Sequence, residues 1–380
     1  MTQTRSLRGM TWGHDRGLAP LLATARAWQS RTGVTVRWDV RSLKEFGEVP
    51  LSELVDHYDL LVIDHPFIGR AVRDQLVVPL DDLIGAECLS TLAEGSIGRS
   101  QQSYCYDGRQ YALAVDAAAQ VMAVRPDLLG AGPVPSTWTE ILELGRPIGL
   151  PLNATDVVPA FLSLCGSLGE APFAANRVVS DEHGRRVLAL LRSLAAVALD
   201  WTLDYNPIQL LERMSTDDEV ALVPALFGYT NYSRPGYRRR LLAFHDFPRT
   251  SPDGPPEGST LGGAGLAISS RTDQPQPAAD YARFVAAAGT QAGLYTAAGG
   301  QPAHRAAWDD PSADRAVGGF FTQTRATMDH AFTRPRYPDY LDWQDGCGPL
   351  LARFVRGEGT PDGVLDAIEG IYRDSHAPRR

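Results

Sequence analysis

Residues 106–129 read YDGRQYALAVDAAAQVMAVRPDLL, and this stretch decides the fold. Asp107-Gly108 supplies the positive φ that a tight turn requires, so Tyr104–Tyr106 and Arg109–Tyr111 pair as a hairpin. The second arm is predicted to run on through Ala112–Asp116 and again through Gln120–Val124. Extended chain of that length leaves one domain and enters another. Asp116 stands alone in the apolar run. A carboxylate there is costly to bury unless it meets a ligand, a cation or an arginine. It is the leading site candidate, with Gln120 behind it.

Upstream, Leu7–Trp12 and Val34–Trp38 read as strands, Leu18–Trp28 has helical apolar spacing, and Asp59–Asp64 reads as a buried strand. Strands alternating with helices predict a mainly parallel sheet covered on both faces. Ligands gather beyond the carboxyl ends of such strands. Those ends are Trp12-Gly13-His14-Asp15 and Asp64-His65-Pro66.

Downstream the α/β pattern restarts. Ser136–Glu140 offers a capping box for a short helix ending near Gly145. Ile148–Leu152, Val220–Val223 and Leu241–Phe247 read as strands, and Asp156–Leu168 and His183–Ala198 as helices. The Pro- and Gly-rich Ser251–Gly258 is an exposed loop before a strand at Leu261–Ser269.

With 380 residues, 44% hydrophobic and 21% charged, the chain has room for two globular domains. A net charge of -9 argues against nucleic acid as a partner, although Arg238, Arg239 and Arg240 form a local basic row. Cys88, Cys105, Cys165 and Cys347 show no pairing rhythm, so neither structural zinc nor a disulfide framework is expected. No apolar run reaches the length of a membrane span, and Met1–Trp12 does not read as a secretory leader. These observations predict a cytoplasmic protein, exported only if the start site is misassigned, with a small-molecule ligand, no membrane insertion and no importer permease as partner. No Walker A sequence, GxGxxG or HExxH is present, and no cofactor or metal is expected.

Three segments in this order resemble the family 1 extracellular solute-binding proteins of ABC importers, the maltose-binding type. They are the opening stretch, GSTLGGAGLAISSRTDQPQPAADYARFV (258–285), and RPRYPDYLDWQDGCGPLLARFVRGEGTPDGVLDAIEGIY (334–372). The resemblance implies a two-lobed α/β periplasmic-binding-protein-like fold of type II, each lobe a mixed, mostly parallel sheet with flanking helices. One lobe would hold residues 1–115 plus 260–312 and the other 117–257 plus 313–380. Hinges near 116 and 258–260 would let a cleft close.

Candidate residues follow from these positions. Trp12, His14, Asp15 and Arg16 follow the first strand as cleft contacts or as the start of a helix. Asp64 beside His65 suits either acid–base work or a turn. Tyr229, Asn231 and Tyr232 suit a second-lobe wall. Gly262, Gly263 and Gly265 permit close backbone approach, and Gln301 and His304 offer further polar contacts.

Two functions remain open. One is a binder of a small polar or aromatic-containing, carbohydrate-like metabolite. The other is an enzyme evolved from the fold, with Asp64, His65, Asp116 or His14 moving protons. Cys105 is the covalent alternative, because thiaminase I resembles a binding protein converted to cysteine catalysis; a small buried hairpin residue is the ordinary explanation.

Overall fold

Strand β1 (Ser6–Trp12) carries Leu7 and Met10 into apolar layers and pairs in parallel with β2 (Thr35–Arg41) and β3 (Leu60–Ile63). The computed structural model describes residues 6–42, 50–130 and 132–376. Gly9 keeps β1 flat against Trp38, whose ring would lie 2.4 Å from an added Cβ. The connecting helix α1 (Asp15–Thr32) starts on a His14 cap and ends at Gly33, whose φ of 78° suits glycine.

The β4–β5 hairpin (Cys105–Tyr106, Arg109–Gln110) leads into β6, Ala112–Val124, thirteen buried residues in one strand. The sequence suggested a gap at Ala117–Ala119. Instead those alanines pair with Gly263, Gly262 and Leu261, because small side chains let two crossing strands lie together. Past Ala119, β6 pairs with β7 (Leu222–Phe227) and β8 (Ala243–His245). The return strand β9 (Leu261–Ile268) joins β6 to β3, giving the order β2-β1-β3-β9-β6-β7. The expected parallel sheet is therefore confined to β2-β1-β3. The strand pairings from β3 onward are antiparallel, since β6 and β9 cross in opposite directions.

The longer later helices are α2 (Val157–Ser167), α3 (Asp181–Val197), α4 (Pro207–Thr216), α5 (Pro275–Ala286), α6 (Tyr340–Val355) and α7 (Pro361–His376). The Thr137–Glu140 capping box forms as expected, whereas Ile148–Leu152 is reduced to parallel bridges from Ile148. One core packs Tyr281 and Val285 of α5 against Leu60, Val115 and Leu266. A second gathers Phe161, Val187, Leu222, Trp343 and Ile368. A third joins the two halves through Ile63, Ala117, Val121, Leu226 and Tyr229. Each large apolar side chain buried is worth about 1.5–3 kcal/mol, so each of the three clusters is a core in its own right. Among the described residues no helix is long and apolar enough to cross a membrane.

Candidate functional site

At the crossing, the carboxyl ends of β1 and β3 meet β6, β9 and the amino-terminal ends of α2 and α4. Trp12, Arg16, Asp64, Asp116, Asp156, Ile208, Phe227, Tyr229 and Gly262–Ala264 line a cavity of about 140 Å³ there. It shares Asp64, Asp156 and Phe227 with a groove of about 690 Å³ edged by Asn153, Asn206, Arg334 and Gln344. Cavity and groove together match the size of small-ligand sites, with apolar walls and a few fixed polar groups.

Asp116 meets an arginine, one of the three partners its position demanded. Arg16 Nε donates to Asp116 Oδ2 at 2.8 Å, and a second guanidinium nitrogen bonds the other oxygen. The remaining amino group donates to Gly228 O at 2.8 Å, and the guanidinium lies 4.4 Å from the centre of the Tyr229 ring. Arg16 is 3% exposed and Asp116 1%. Burial pushes the Asp116 carboxyl up from its ordinary range while Arg16 pulls it back. The close crossing needs Gly263, at φ 103°, where a Cβ would lie 2.3 Å from Asp116 O.

Asp64 faces the cavity as expected, but as half of an ion pair. Its Oδ2 accepts from Arg334 at 2.6 Å and its Oδ1 from the His65 backbone N–H at 2.8 Å. Burial opposes ionisation, yet Arg334 and the hydrogen bond hold the carboxyl well below the usual range. Arg334 belongs to a segment expected in the second lobe, and that segment also fastens to elements expected in the first. Arg336 donates to the carbonyls of Gln102, Ser103 and Cys105, and Arg73 pairs with Asp339 at 2.8 Å.

Several candidates fall behind the cavity wall. His65 is 0% exposed and is pushed down to about 4 by burial, so it is neutral at pH 7 and does not reach the cavity. His14 caps α1, accepting the Arg16 N–H at 3.0 Å, with Tyr229 edge-on at 4.9 Å; burial lowers it to about 4. Cys105 sits half-buried in the hairpin, away from the cavity and groove linings. Tyr232 donates to Glu212 Oε1 at 2.8 Å and Asn231 to Gly299 O at 3.2 Å; both are buried outside the lining. Gln301 staples backbone, donating to Ala117 O at 2.7 Å and accepting from Thr230 N at 2.9 Å. Gln120 accepts from Ser163 Oγ at 2.6 Å, and His304 caps a short helix. These groups lie outside the cavity and groove linings, and His14, Gln301 and Gln120 hold the wall together from behind.

Two charged contributors were not singled out as site residues: Arg334 and Asp156. Arg16 was visible as the cation nearest the first strand end. Asp156 read only as the start of α2. Burial pushes its carboxyl up to about 7, against a hydrogen bond from the Asn153 side chain and the more distant Arg334. Its charge therefore changes near neutrality.

The sequence pattern of the bacterial extracellular solute-binding proteins matches residues 53–318, which contain the crossing strands and most of the cavity wall. The chain belongs to the bacterial extracellular solute-binding protein family. Solved structures share the fold over nearly the whole of both chains. Maltose-bound MalE3 of T. maritima has a TM-score of 0.82 at 17% identity, covering 97% of this chain and 99% of that one. A solute-binding protein of an Agrobacterium radiobacter ABC transporter, in complex with ribitol, gives 0.79 at 20% identity, covering 97% and 98%. The GacH receptor of Streptomyces glaucescens, described with and without acarbose, gives 0.79 at 16% identity and covers both chains completely. This family member therefore has an α/β periplasmic-binding-protein fold of the maltose-binding type, with its cavity at the strand crossing.

Proposed function

We propose that this protein captures a small polyhydroxylated solute, a sugar or polyol, in the cavity and groove at the strand crossing. The observation that carries the reading is the cavity itself, where Trp12, Phe227 and Tyr229 supply apolar faces beside charges already fixed in position by Arg16 and Arg334. Fixed polar groups next to rings suit a ligand with alternating hydroxyl and C–H faces. The ligands of the similar structures, maltose and ribitol among them, fit that chemistry. The proposed role includes delivery to a membrane importer, because similar proteins are described as ABC transporter solute-binding proteins. It keeps the two-lobe division, with residues near 116 and 258–260 as the hinge. Closure then brings α2 and α4 toward the ends of β1 and β3.

The test is calorimetry of the purified chain against a panel of sugars and polyols, with mass spectrometry of the same mixtures over time. Saturable one-to-one binding with the solute recovered unchanged supports the reading. Binding by none of the panel would sink it, and steady conversion of a solute would make the protein an enzyme.

A further inference from the structure

The cavity wall has an unequal set of charges. Asp64 is closed by Arg334 and Asp116 by Arg16, both at hydrogen-bond distance. Asp156 lines the same cavity and the groove beyond it, and it has no ion pair among the described residues. Three carboxylates thus share two guanidinium groups. The Tyr229 ring already carries the Arg16 guanidinium over it, and Phe227 is a ring that lines both the cavity and the groove, as Asp156 does. A carboxylate next to a free aromatic face is a receptor for a cation, since the ring quadrupole and the negative charge attract the same group.

We propose that the solute carries a cationic amino group beside its hydroxyls, and that Asp156 is the residue that selects it, pairing with the ammonium in front of Phe227. The inference rests on the reading of the cleft as a solute site and names the chemical class of the solute. Other groups around Asp156 leave the place open. Asn153 is neutral, Arg334 is engaged by Asp64, Arg16 by Asp116, and the buried Tyr229 hydroxyl is held un-ionised, well above its ordinary range. The raised pKa of Asp156 is what an unmatched, desolvated carboxyl shows, and an ammonium would restore its charge.

The experiment uses the full chain and matched probes at about pH 7: glucose with glucosamine, galactose with galactosamine, sorbitol with glucamine. Affinities are measured by calorimetry for the wild type and Asp156→Asn. The Asp156 side chain makes no capping hydrogen bond to α2, so the helix keeps its start in the variant. The expected result is an amino probe bound at least about tenfold more tightly than its neutral partner, a preference that Asp156→Asn erases. Equal or tighter binding of the neutral probes, or a preference that survives Asp156→Asn, would overturn the inference and leave the solute reading intact. Should no probe of either kind bind, and the broader panel fail as well, both readings fall together.

Discussion

Arg16 and Asp116 stand one hundred residues apart in sequence and form a buried, two-point ion pair where the crossing strands meet. The arginine side chain comes from the first turn of α1 and also holds Gly228 O, just beyond β7. One guanidinium therefore ties the first helix to both halves of the molecule. Removing either partner strands a charge in a low-dielectric wall, which costs about 3–5 kcal/mol. Arg16→Met is expected to lower the urea midpoint accordingly, with Asp116→Leu similar. The double variant is expected to recover most of the loss. It stays short of wild type because Gly228 O is left without its donor, at about 1–3 kcal/mol. Additive losses in the double-mutant cycle would show that the two side chains do not act as a pair.

Gly263 makes that arrangement possible, so Gly263→Ala is predicted to be among the more damaging single-methyl changes in the chain. At φ 103° the new Cβ would lie 2.3 Å from Asp116 O, a backbone atom that moves only if β6 moves. Strain and displacement together amount to about 2–5 kcal/mol. Gly108, in the hairpin turn, is the control. Its φ is 77° and nothing lies within 4 Å of an added Cβ. Gly108→Ala therefore loses only the left-handed backbone penalty, about 1–2 kcal/mol. Thermal melts of the two variants side by side decide the matter, and equal losses would mean that the strands can part.

Those two positions also show what the sequence discloses. The stretch around Asp116 was readable as a crossing from its length, and the Gly-Gly-Ala-Gly strand some 150 residues later as the return crossing from its resemblance to the solute-binding family. The strand ends at Trp12 and Asp64 followed from β/α alternation. Direction was harder to read. Asn231, Tyr232 and Gln301 are polar residues near the crossing, but which way each points depends on partners such as Glu212, Gly299 and Ala117, brought there by the tertiary fold. Asp156 escaped notice for a related reason. An acidic residue at a helix start is ordinary, and its lack of a counter-ion is apparent only once Arg16 and Arg334 are seen to be taken.

The Asp64–Arg334 pair makes a pH-dependent contribution of definite sign. Asp64 is held below its ordinary value of 3.8, so the native state favours the ionised form more than the unfolded state does. That stabilisation is fully present above about pH 4 and is lost as pH falls through the depressed native value. Arg334→Gln is expected to lose about 2–5 kcal/mol, toward the lower figure because the Asp64 side chain keeps 26% of its exposure. The gap in urea midpoint between wild type and variant is expected to be steady from pH 8 to 5 and to narrow below pH 4. A gap that persists unchanged at pH 3 would assign the loss to packing.

Asp156 has the opposite sign. Its native value of about 7 lies above its ordinary 3.8, so between those values the folded protein holds a proton that the unfolded chain has released. Stability attributable to this residue falls as pH rises through that window, and the cost is complete above pH 7. His14 and His65, each lowered to about 4 from 6.5, work the other way: protonation of the unfolded chain erodes native stability as pH falls from 6.5 toward 4. The wild-type curve mixes these effects, whereas the difference between wild type and Asp156→Asn isolates one. The variant is expected to match wild type near pH 4 and to become progressively more stable than it up to pH 7 and beyond. Denaturation midpoints at four pH values, without solute, supply the curve. A difference that does not change with pH would mean that the Asp156 carboxyl is solvated as an ordinary surface acid, and its place in the cavity wall would carry no electrostatic weight.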